Sequence, residues 1–183
     1  IVMLIVGLNQ GTQPIIGYNY GAQNYGRVQE TFIYTLKVAT LFSTTGFIIG
    51  MFFPRLFASA FTTDPELLDI TEKGIRLGLI SFPIVGFQIV AGSFFQSIGK
   101  ATKSIIQSLS RQILFLVPAL LILPNLFGLT GVWISMPVSD FLASVLSLYL
   151  LVGQIKIIKG MEREQLLNSP KGLEVITEVA TKK

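Results

Sequence analysis

The sequence contains neither cysteine nor histidine, and only 13% of its 183 residues are charged. The absence of cysteine and histidine excludes thiol redox chemistry, thiolate metal sites and acid–base chemistry by an imidazole. The sequence also lacks metal-ligand spacing, a phosphate-binding glycine loop and a nucleophile–base pair. We therefore expect no enzyme, no catalytic residue, no metal and no other cofactor.

The low charge accompanies a strongly apolar composition. Hydrophobic residues make up 51% of the chain, the mean hydropathy is +0.66, and 14 residues are phenylalanine. Soluble domains carry about twice this fraction of charged residues. Here the charges are excluded from long blocks, so the sequence predicts a membrane protein in contact with lipid. The net charge of +4 is spread in short clusters near helix ends, which does not favour nucleic acid as a partner.

Five apolar blocks predict membrane-spanning helices and hence an all-α polytopic fold. A helix needs about 20 residues to cross about 30 Å of hydrocarbon. The predicted spans are about 1–21, 36–54, 75–99, 104–124 and 132–157, within a transmembrane region 1–159. The charge-mixed tail 160–183 is expected to be disordered. Because the chain opens at Ile1 inside an apolar run, we interpret it as a fragment.

The charges between the spans predict their orientation. Three alternate connections are basic, whereas the connection between the second and third spans is rich in acids, namely Asp64, Glu66, Asp69 and Glu72. The positive-inside rule then places the basic connections and the C-terminal tail on the cytoplasmic side. The expected location is the cell (plasma) inner membrane. Within the acidic connection, Thr63 or Asp64 can cap an amphipathic helix that starts with Pro65.

The first span combines apolar residues with amides, glycines and a proline. Four amides require a protein partner or a wet cavity if the helix crosses a membrane: Asn9, Gln10, Gln13 and Asn19. Gln10 and Gln13 lie on one helical stripe with Gly17 and Gly21. Pro14 removes a backbone donor and predicts a bend, and Gly7 with Gly11 permits close helix packing. These features indicate a helix that lines a pathway.

The run from Gly7 to Ala22, followed by Arg27 and Val28, resembles the C-lobe motif of the multidrug and toxic compound extrusion family, MATE. In that family the motif forms the eighth of twelve spanning helices, and residues 1 to about 160 resemble the eighth to twelfth helices in order. On this basis the motif residues assigned to the substrate or ion pathway are Asn9, Gln10, Gln13, Pro14, Gly17, Tyr18 and Asn19.

The resemblance implies one part of a two-lobe secondary antiporter. Its expected substrates are cationic or amphiphilic drugs, exported in exchange for sodium ions or protons. The N-terminal lobe of the same protein is the implied partner. The acidic residues through which many members couple ion to drug lie in that lobe and in the seventh helix, so none of those positions can be assigned in this sequence.

The third span carries a second polar stripe. Gln88, Gly92 and Gln96 repeat every four residues. One interpretation is that they line the same cavity as Gln10 and Gln13. The other is that they only join helix to helix through hydrogen bonds worth about 0.6 to 2 kcal/mol.

Asp140 is the only acid within a predicted span. One interpretation is a cation or proton site, or a polar group that faces the central cleft. The other is an interfacial cap on a helix that Pro137 restarts. Gln107 and Arg111 are interpreted as cytoplasmic helix surface.

Two rival functions remain. A lipid-linked precursor flippase of the same wider superfamily should hold several cationic residues for a pyrophosphate, and the third and fifth spans carry none in mid-span. A membrane enzyme or a non-transporting scaffold subunit is the other rival. An enzyme should show acids, histidines or cysteines clustered near an interface, and the sequence does not.

Overall fold

The computed structural model describes residues 1–167, and this part of the chain is helical almost throughout, with no strand. An all-α fold is thereby confirmed. The elements are α1 (Val2–Gly21), α2 (Tyr25–Phe52), α3 (Pro54–Ser59), α4 (Pro65–Leu79), α5 (Phe82–Ser97), α6 (Ala101–Leu109), a π-helical segment (Ser110–Leu116), α7 (Val117–Phe127) and α8 (Leu129–Leu167).

Helices α1, α2 and α5 pack against one another and enclose an apolar cluster that includes Ile5, Val28, Phe32, Phe94 and Phe95. Small residues bring α2 and α5 close together. A Cβ atom placed on Gly86 would lie 2.9 Å from the Ala39 carbonyl oxygen and would also meet the Ser43 hydroxyl. Lipid tails are as apolar as the helix side chains, so the hydrophobic effect does not drive helices together within a membrane. Close packing of the kind seen at Gly86 is therefore a main source of helix association.

Helices α4 and α5 form a pair bent by 46°. The Asp64 side chain caps α4 by accepting a 2.9 Å hydrogen bond from the Glu66 amide, and Pro65 occupies the first turn, as predicted. Where α4 meets α8, a Cβ atom on Gly74 would lie 2.8 Å from the Trp133 ring. The acidic connection therefore lies at the N-terminal end of α8.

Residues 101–127 form one long helix whose middle is π-helical. The π-helical segment ends two residues before Pro118, which has no N–H to donate to the preceding turn. Local widening of this kind lets a membrane helix satisfy backbone groups that a proline frees. The helix ends at a turn in which Gly128 has φ +58°, a conformation that favours glycine.

Two helices extend beyond the predicted spans. Helix α2 starts at Tyr25 instead of 36, and α8 continues to Leu167 instead of ending at 157. The added turns pack on each other, since Gln29 Nε2 donates to Glu162 Oε2 across 2.8 Å. The expectation of disorder is therefore wrong for 160–167. The rest of the predicted tail, 168–183, lies outside the described residues.

Three helices are long and apolar enough to cross a membrane: α2, the 101–127 helix and α8. The bent pair of α4 and α5 makes a fourth if it counts as one span. Among the described helices α1 does not meet this criterion, because its amides lower its mean hydropathy. Length and composition thus support three to four of the five predicted spans.

The connections lie at two opposite ends of the bundle. The Gln29–Glu162 contact brings the α1–α2 turn to the C-terminal half of α8, and a 2.7 Å bond from Lys103 Nζ to Gln154 Oε1 does the same for the α5–α6 turn. We call this the basic end. The α3–α4 connection and the Gly128 turn lie at the other end, the acidic end. The alternation of basic and acidic connections is thus built into the helix arrangement.

Candidate functional site

A polar cavity of about 470 Å³ lies between α1, α5 and the helix formed by α6 and the π-helical segment. Amides make up half of its lining, namely Asn9, Gln10, Gln13, Gln88, Gln96, Gln107 and Gln112. Ser93, Ser104 and Ser108 add hydroxyls, and Arg111 is the charged residue of the lining. The structure thus brings the predicted stripes of the first and third spans together around one cavity.

Three amides of α1 face this cavity in different ways. Asn9 is buried, and its Nδ2 donates to the Ile5 carbonyl oxygen across 2.9 Å. Gln13 is half-buried and Gln10 is exposed. Because Asn9 satisfies its donor within the helix, Gln10 and Gln13 are the α1 amides whose polar groups remain available to a ligand.

The other motif residues of α1 lie away from the cavity lining. Asn19 is buried, with Nδ2 donating to the Ile15 carbonyl oxygen across 2.8 Å. Pro14 is exposed within the continuous helix, and Tyr18 is 77% exposed. A Cβ atom on Gly17 would lie 3.1 Å from the Ser97 carbonyl oxygen, so Gly17 is the α1 glycine that permits close approach to α5. Gly7 and Gly11 are exposed, and they have no such neighbour within the described residues.

The α5 stripe both lines the cavity and joins helices. The buried Gln88 donates through Nε2 to the main-chain carbonyl oxygen of Asp140 at 2.5 Å. The main-chain carbonyl oxygen of Gln88 accepts from Gln107 Nε2 at 2.8 Å. Gln96 is exposed and donates to Ser104 Oγ at 3.0 Å. The stripe therefore lines the same cavity as Gln10 and Gln13, and its hydrogen bonds also join α5 to the neighbouring helices.

Asp140 lies in the interior of α8 and is 5% exposed. Its Oδ1 accepts a 2.7 Å hydrogen bond from Arg111 Nε, and its Oδ2 accepts one of 2.6 Å from Ser81 Oγ. The capping interpretation is wrong because Pro137 lies inside α8 and does not restart it. A cation and a hydroxyl satisfy the carboxylate, as a buried charge requires.

Arg111 and Gln107 are not the helix surface that the sequence suggested. Arg111 pairs with Asp140 while its side chain, 41% exposed, also lines the cavity. Gln107 is 6% exposed, and its Oε1 has no hydrogen-bond partner. One signal in the sequence pointed to Arg111: a mid-span acid needs a cation, and Arg111 is the basic residue farthest from either end of a predicted span.

This arrangement suits weak and adaptable recognition. An amide can donate or accept, so a ring of amides and hydroxyls can pair with many polar groups, and Arg111 adds one fixed positive charge. Within residues 1–167, no three histidine, cysteine, aspartate or glutamate side chains are grouped to hold a metal ion.

Comparison with known proteins gives a consistent set of similarities. The family model described as MatE matches residues 1–121. A "FAD transporter" of Shewanella oneidensis is 23% identical over 150 residues, covering 82% of this chain and 33% of that protein. The "Multidrug export protein MepA" of Staphylococcus haemolyticus is 24% identical over 152 residues, covering 81% of this chain and 32% of that protein. The chain thus spans about a third of the length of these curated relatives.

Solved structures show the same fold. The structure of the "MATE multidrug transporter DinF-BH" shares 44% identity and a TM-score of 0.77 over 81% of this chain and 33% of that one. An "inward-facing conformation of a multidrug resistance MATE family transporter of the MOP superfamily" has a TM-score of 0.81 at 22% identity, over 87% of this chain and 37% of that one. The helix arrangement described above is therefore that of part of such a transporter.

Proposed function

The chain belongs to the MATE family of transporters, and from this premise we propose that the complete protein is a secondary active antiporter. It exports cationic or amphiphilic drugs in exchange for sodium ions or protons. The names of the relatives, a multidrug export protein and several multidrug transporters, support drug export as the general activity. The chain supplies part of the C-terminal lobe, and the N-terminal lobe of the same protein completes the cleft.

One observation carries this proposal: the amides of α1 and α5 converge on one cavity. Gln10 and Gln96 are exposed in this chain, so part of the amide lining is accessible to a ligand. Amides in mid-span are costly unless they find partners or water. A pathway that admits water and polar ligands would satisfy the hydrogen bonds of these inward-facing amides. Such a pathway fits a binding site between two lobes.

We assign Asp140 the role of coupling carboxylate. The Arg111 guanidinium contacts Asp140 Oδ1, and in this proposal a sodium ion or proton binds the same carboxylate. Binding of a cation to the carboxylate and the Arg111 contact therefore compete. Cation binding would free Arg111, whose side chain is already 41% exposed beside the cavity, and this links the ion to the drug site.

The membrane and its sidedness complete the proposal. The protein lies in the cell (plasma) inner membrane, with lipid around its apolar helix faces and the basic end in the cytoplasm. The C-terminal tail is then cytoplasmic. Four basic residues at the basic end support this orientation: Lys100, Lys156, Lys159 and Arg163.

A lipid-linked precursor flippase is a second candidate that one observation favours. Arg111 puts a partly exposed cation in the cavity, and a pyrophosphate would bind such a cation. Against this, the headgroup needs several cations, whereas the cavity lining supplies one guanidinium, which is already paired with Asp140.

Reconstitution of the complete protein in proteoliposomes distinguishes these functions. We expect efflux of a lipophilic cationic dye when a sodium or proton gradient is imposed, and none without a gradient. Translocation of a lipid-linked pyrophosphate in place of the dye would identify the flippase. Transport of neither would leave the scaffold alternative.

A further inference from the structure

Two rows of polar side chains face each other along α8 and the helix that contains α6. Lys103, Gln107 and Arg111 are four residues apart, and Asp140, Ser147 and Gln154 are seven residues apart, so each row follows one helix face. Bonds of 2.7 Å join the two rows at both ends, from Lys103 Nζ to Gln154 Oε1 and from Arg111 Nε to Asp140 Oδ1. We call these six residues the polar seam.

The polar seam contains polar atoms without partners, at its middle and at the end where Gln154 lies. Among residues 1–167, three buried side-chain nitrogen or oxygen atoms make no hydrogen bond: Gln107 Oε1, Ser147 Oγ and Gln154 Nε2. All three belong to the polar seam, and Ser147 and Gln154 are 0% and 1% exposed. An unsatisfied polar group in a membrane interior costs several kcal/mol. Three of them in one place indicate that the seam has another binding partner.

Helix α5 covers the seam and places small residues over its middle. At one end Gln88 bonds to Asp140, and at the other the Phe95 ring lies 5.9 Å from Lys103 Nζ. Between these two residues α5 presents Ala91 and Gly92, whose side chains are the smallest available. A Cβ atom on Gly92 would lie 3.7 Å from Gln107, at ordinary van der Waals distance, and the polar cavity reaches the seam at Gln107 and Arg111. Buried donors and acceptors that lack protein partners are where proteins hold internal water.

We propose that the polar seam holds internal water that connects Asp140 to the basic end of the bundle, and that protons reach Asp140 along this route. The second part rests on the proposed function of Asp140 as the coupling carboxylate. The distance along α8 from Asp140 to Gln154 is about 21 Å, which several hydrogen-bonded waters can span between the polar groups. A proton from bulk water then binds the Asp140 carboxylate, which becomes neutral, while Arg111 keeps its charge and loses its ionic partner.

The charged groups around Asp140 are few. Arg111 of the π-helical segment contacts it, and Lys103 is the charged residue of α6, at the far end of the seam. Helices α5 and α7 contain no titratable residue, and Ser81 contributes only a hydroxyl. On α4, Lys73 and Arg76 lie beside Trp133, about two turns of α8 nearer the acidic end. On α2, Arg27, Glu30 and Lys37 lie in the N-terminal turns, toward the basic end.

Hydroxyl-radical footprinting of the complete protein tests the water directly, because radiolysis of internal water oxidises the side chains beside it. Phe95 lies next to Lys103, whereas Phe32 packs 4.6 Å from the Phe94 ring in the apolar cluster. Both are buried, at 0% and 3% exposure, so they form a matched pair. We expect Phe95 to be oxidised at least several-fold faster than Phe32. Equal and slow oxidation of the two rings would overturn the hydrated seam.

A second measurement tests the proton route. Ser147→Ala removes an unpartnered hydroxyl of the seam, whereas the control Ser135→Ala removes an equally buried hydroxyl that bonds to the Gly131 carbonyl oxygen on the same helix. In the complete protein we expect Ser147→Ala to slow proton-driven dye efflux several-fold without lowering thermal stability, and Ser135→Ala to leave efflux unchanged. Unchanged efflux in Ser147→Ala would overturn the route. If the unmodified protein showed no proton-driven efflux, the proposal of proton coupling would be wrong. The footprinting result would still show whether the polar seam holds water.

Discussion

Arg111 donates from Nε to Asp140 Oδ1 across 2.7 Å and so joins the π-helical segment to the N-terminal third of α8. The two partners stand in different surroundings, since the Asp140 side chain is 7% exposed and that of Arg111 is 41% exposed. Losing one partner therefore does not have the same consequence as losing the other.

The first prediction concerns the stability of this pair in the complete protein. Arg111→Gln leaves a buried carboxylate without its cation, so we expect a loss of about 3 kcal/mol or more. Asp140→Asn leaves a guanidinium that already reaches the cavity, and we expect a loss of about 1 kcal/mol. Thermal unfolding in detergent measures both. The double variant should be more stable than the sum of the two losses predicts. A larger loss in Asp140→Asn than in Arg111→Gln would contradict this account.

The second prediction concerns transport by Asp140→Asn. Asparagine keeps the size of the side chain, can accept from Arg111 through its oxygen and can donate to the Ser81 hydroxyl through its nitrogen, but it cannot ionise. We expect near-normal expression, reduced dye efflux and an altered dependence on pH or sodium concentration. The efflux assay across a range of both conditions checks this. Wild-type behaviour throughout would remove Asp140 from ion coupling.

The third prediction is topological. Asn24 and Thr102 adjoin the basic end, and Thr63 and Asn125 adjoin the acidic end. Single cysteines at these positions, in a complete protein without other cysteines, should react with a membrane-impermeant thiol reagent from the cytoplasmic side for the first two and from the opposite side for the others. Labelling of Thr63→Cys and Thr102→Cys from the same side would refute the orientation.

The fourth prediction tests close packing of α2 on α5. Gly86→Ala places a methyl group 2.9 Å from the Ala39 carbonyl oxygen, so the helices must move apart, at a cost of about 1 to 3 kcal/mol. Gly153→Ala is the matched control. A Cβ atom there meets nothing within 4 Å in the described residues, and alanine favours the helix by about 0.5 to 1 kcal/mol. Thermal unfolding of both variants checks this prediction, and equal stability of the two would argue against the close approach.

Residue spacing predicted the parts of this molecule that depend on one helix at a time. The three-and-four spacing of Gln10 and Gln13, and the repeat of Gln88 and Gln96, placed each stripe on a helix face that meets the cavity. The Asp64 cap followed from the residues around Pro65. Such patterns are local, so a single sequence contains them in full.

The parts that depend on contacts between helices could not be read in the same way. Asp140 and Arg111 lie 29 positions apart, on either side of the Gly128 turn, and no spacing rule relates them. Pro137 suggested a helix start because proline is common there, but α8 continues through it with Asp140 held by α5 and the π-helical segment. Tertiary contacts therefore decided between alternatives that the local sequence left open.

Protection of a cavity cysteine by substrate tests most directly the claim that this cavity is part of the drug pathway. In a complete protein without other cysteines, Gln13→Cys lies in the cavity lining, whereas Asn24→Cys is exposed in the α1–α2 turn and is not part of that lining. We predict that a lipophilic cationic dye, at saturating concentration, slows modification of Gln13→Cys by a small thiol reagent several-fold and leaves modification of Asn24→Cys unchanged. Equal modification rates of Gln13→Cys with and without the dye, in a protein that still exports it, would contradict the account.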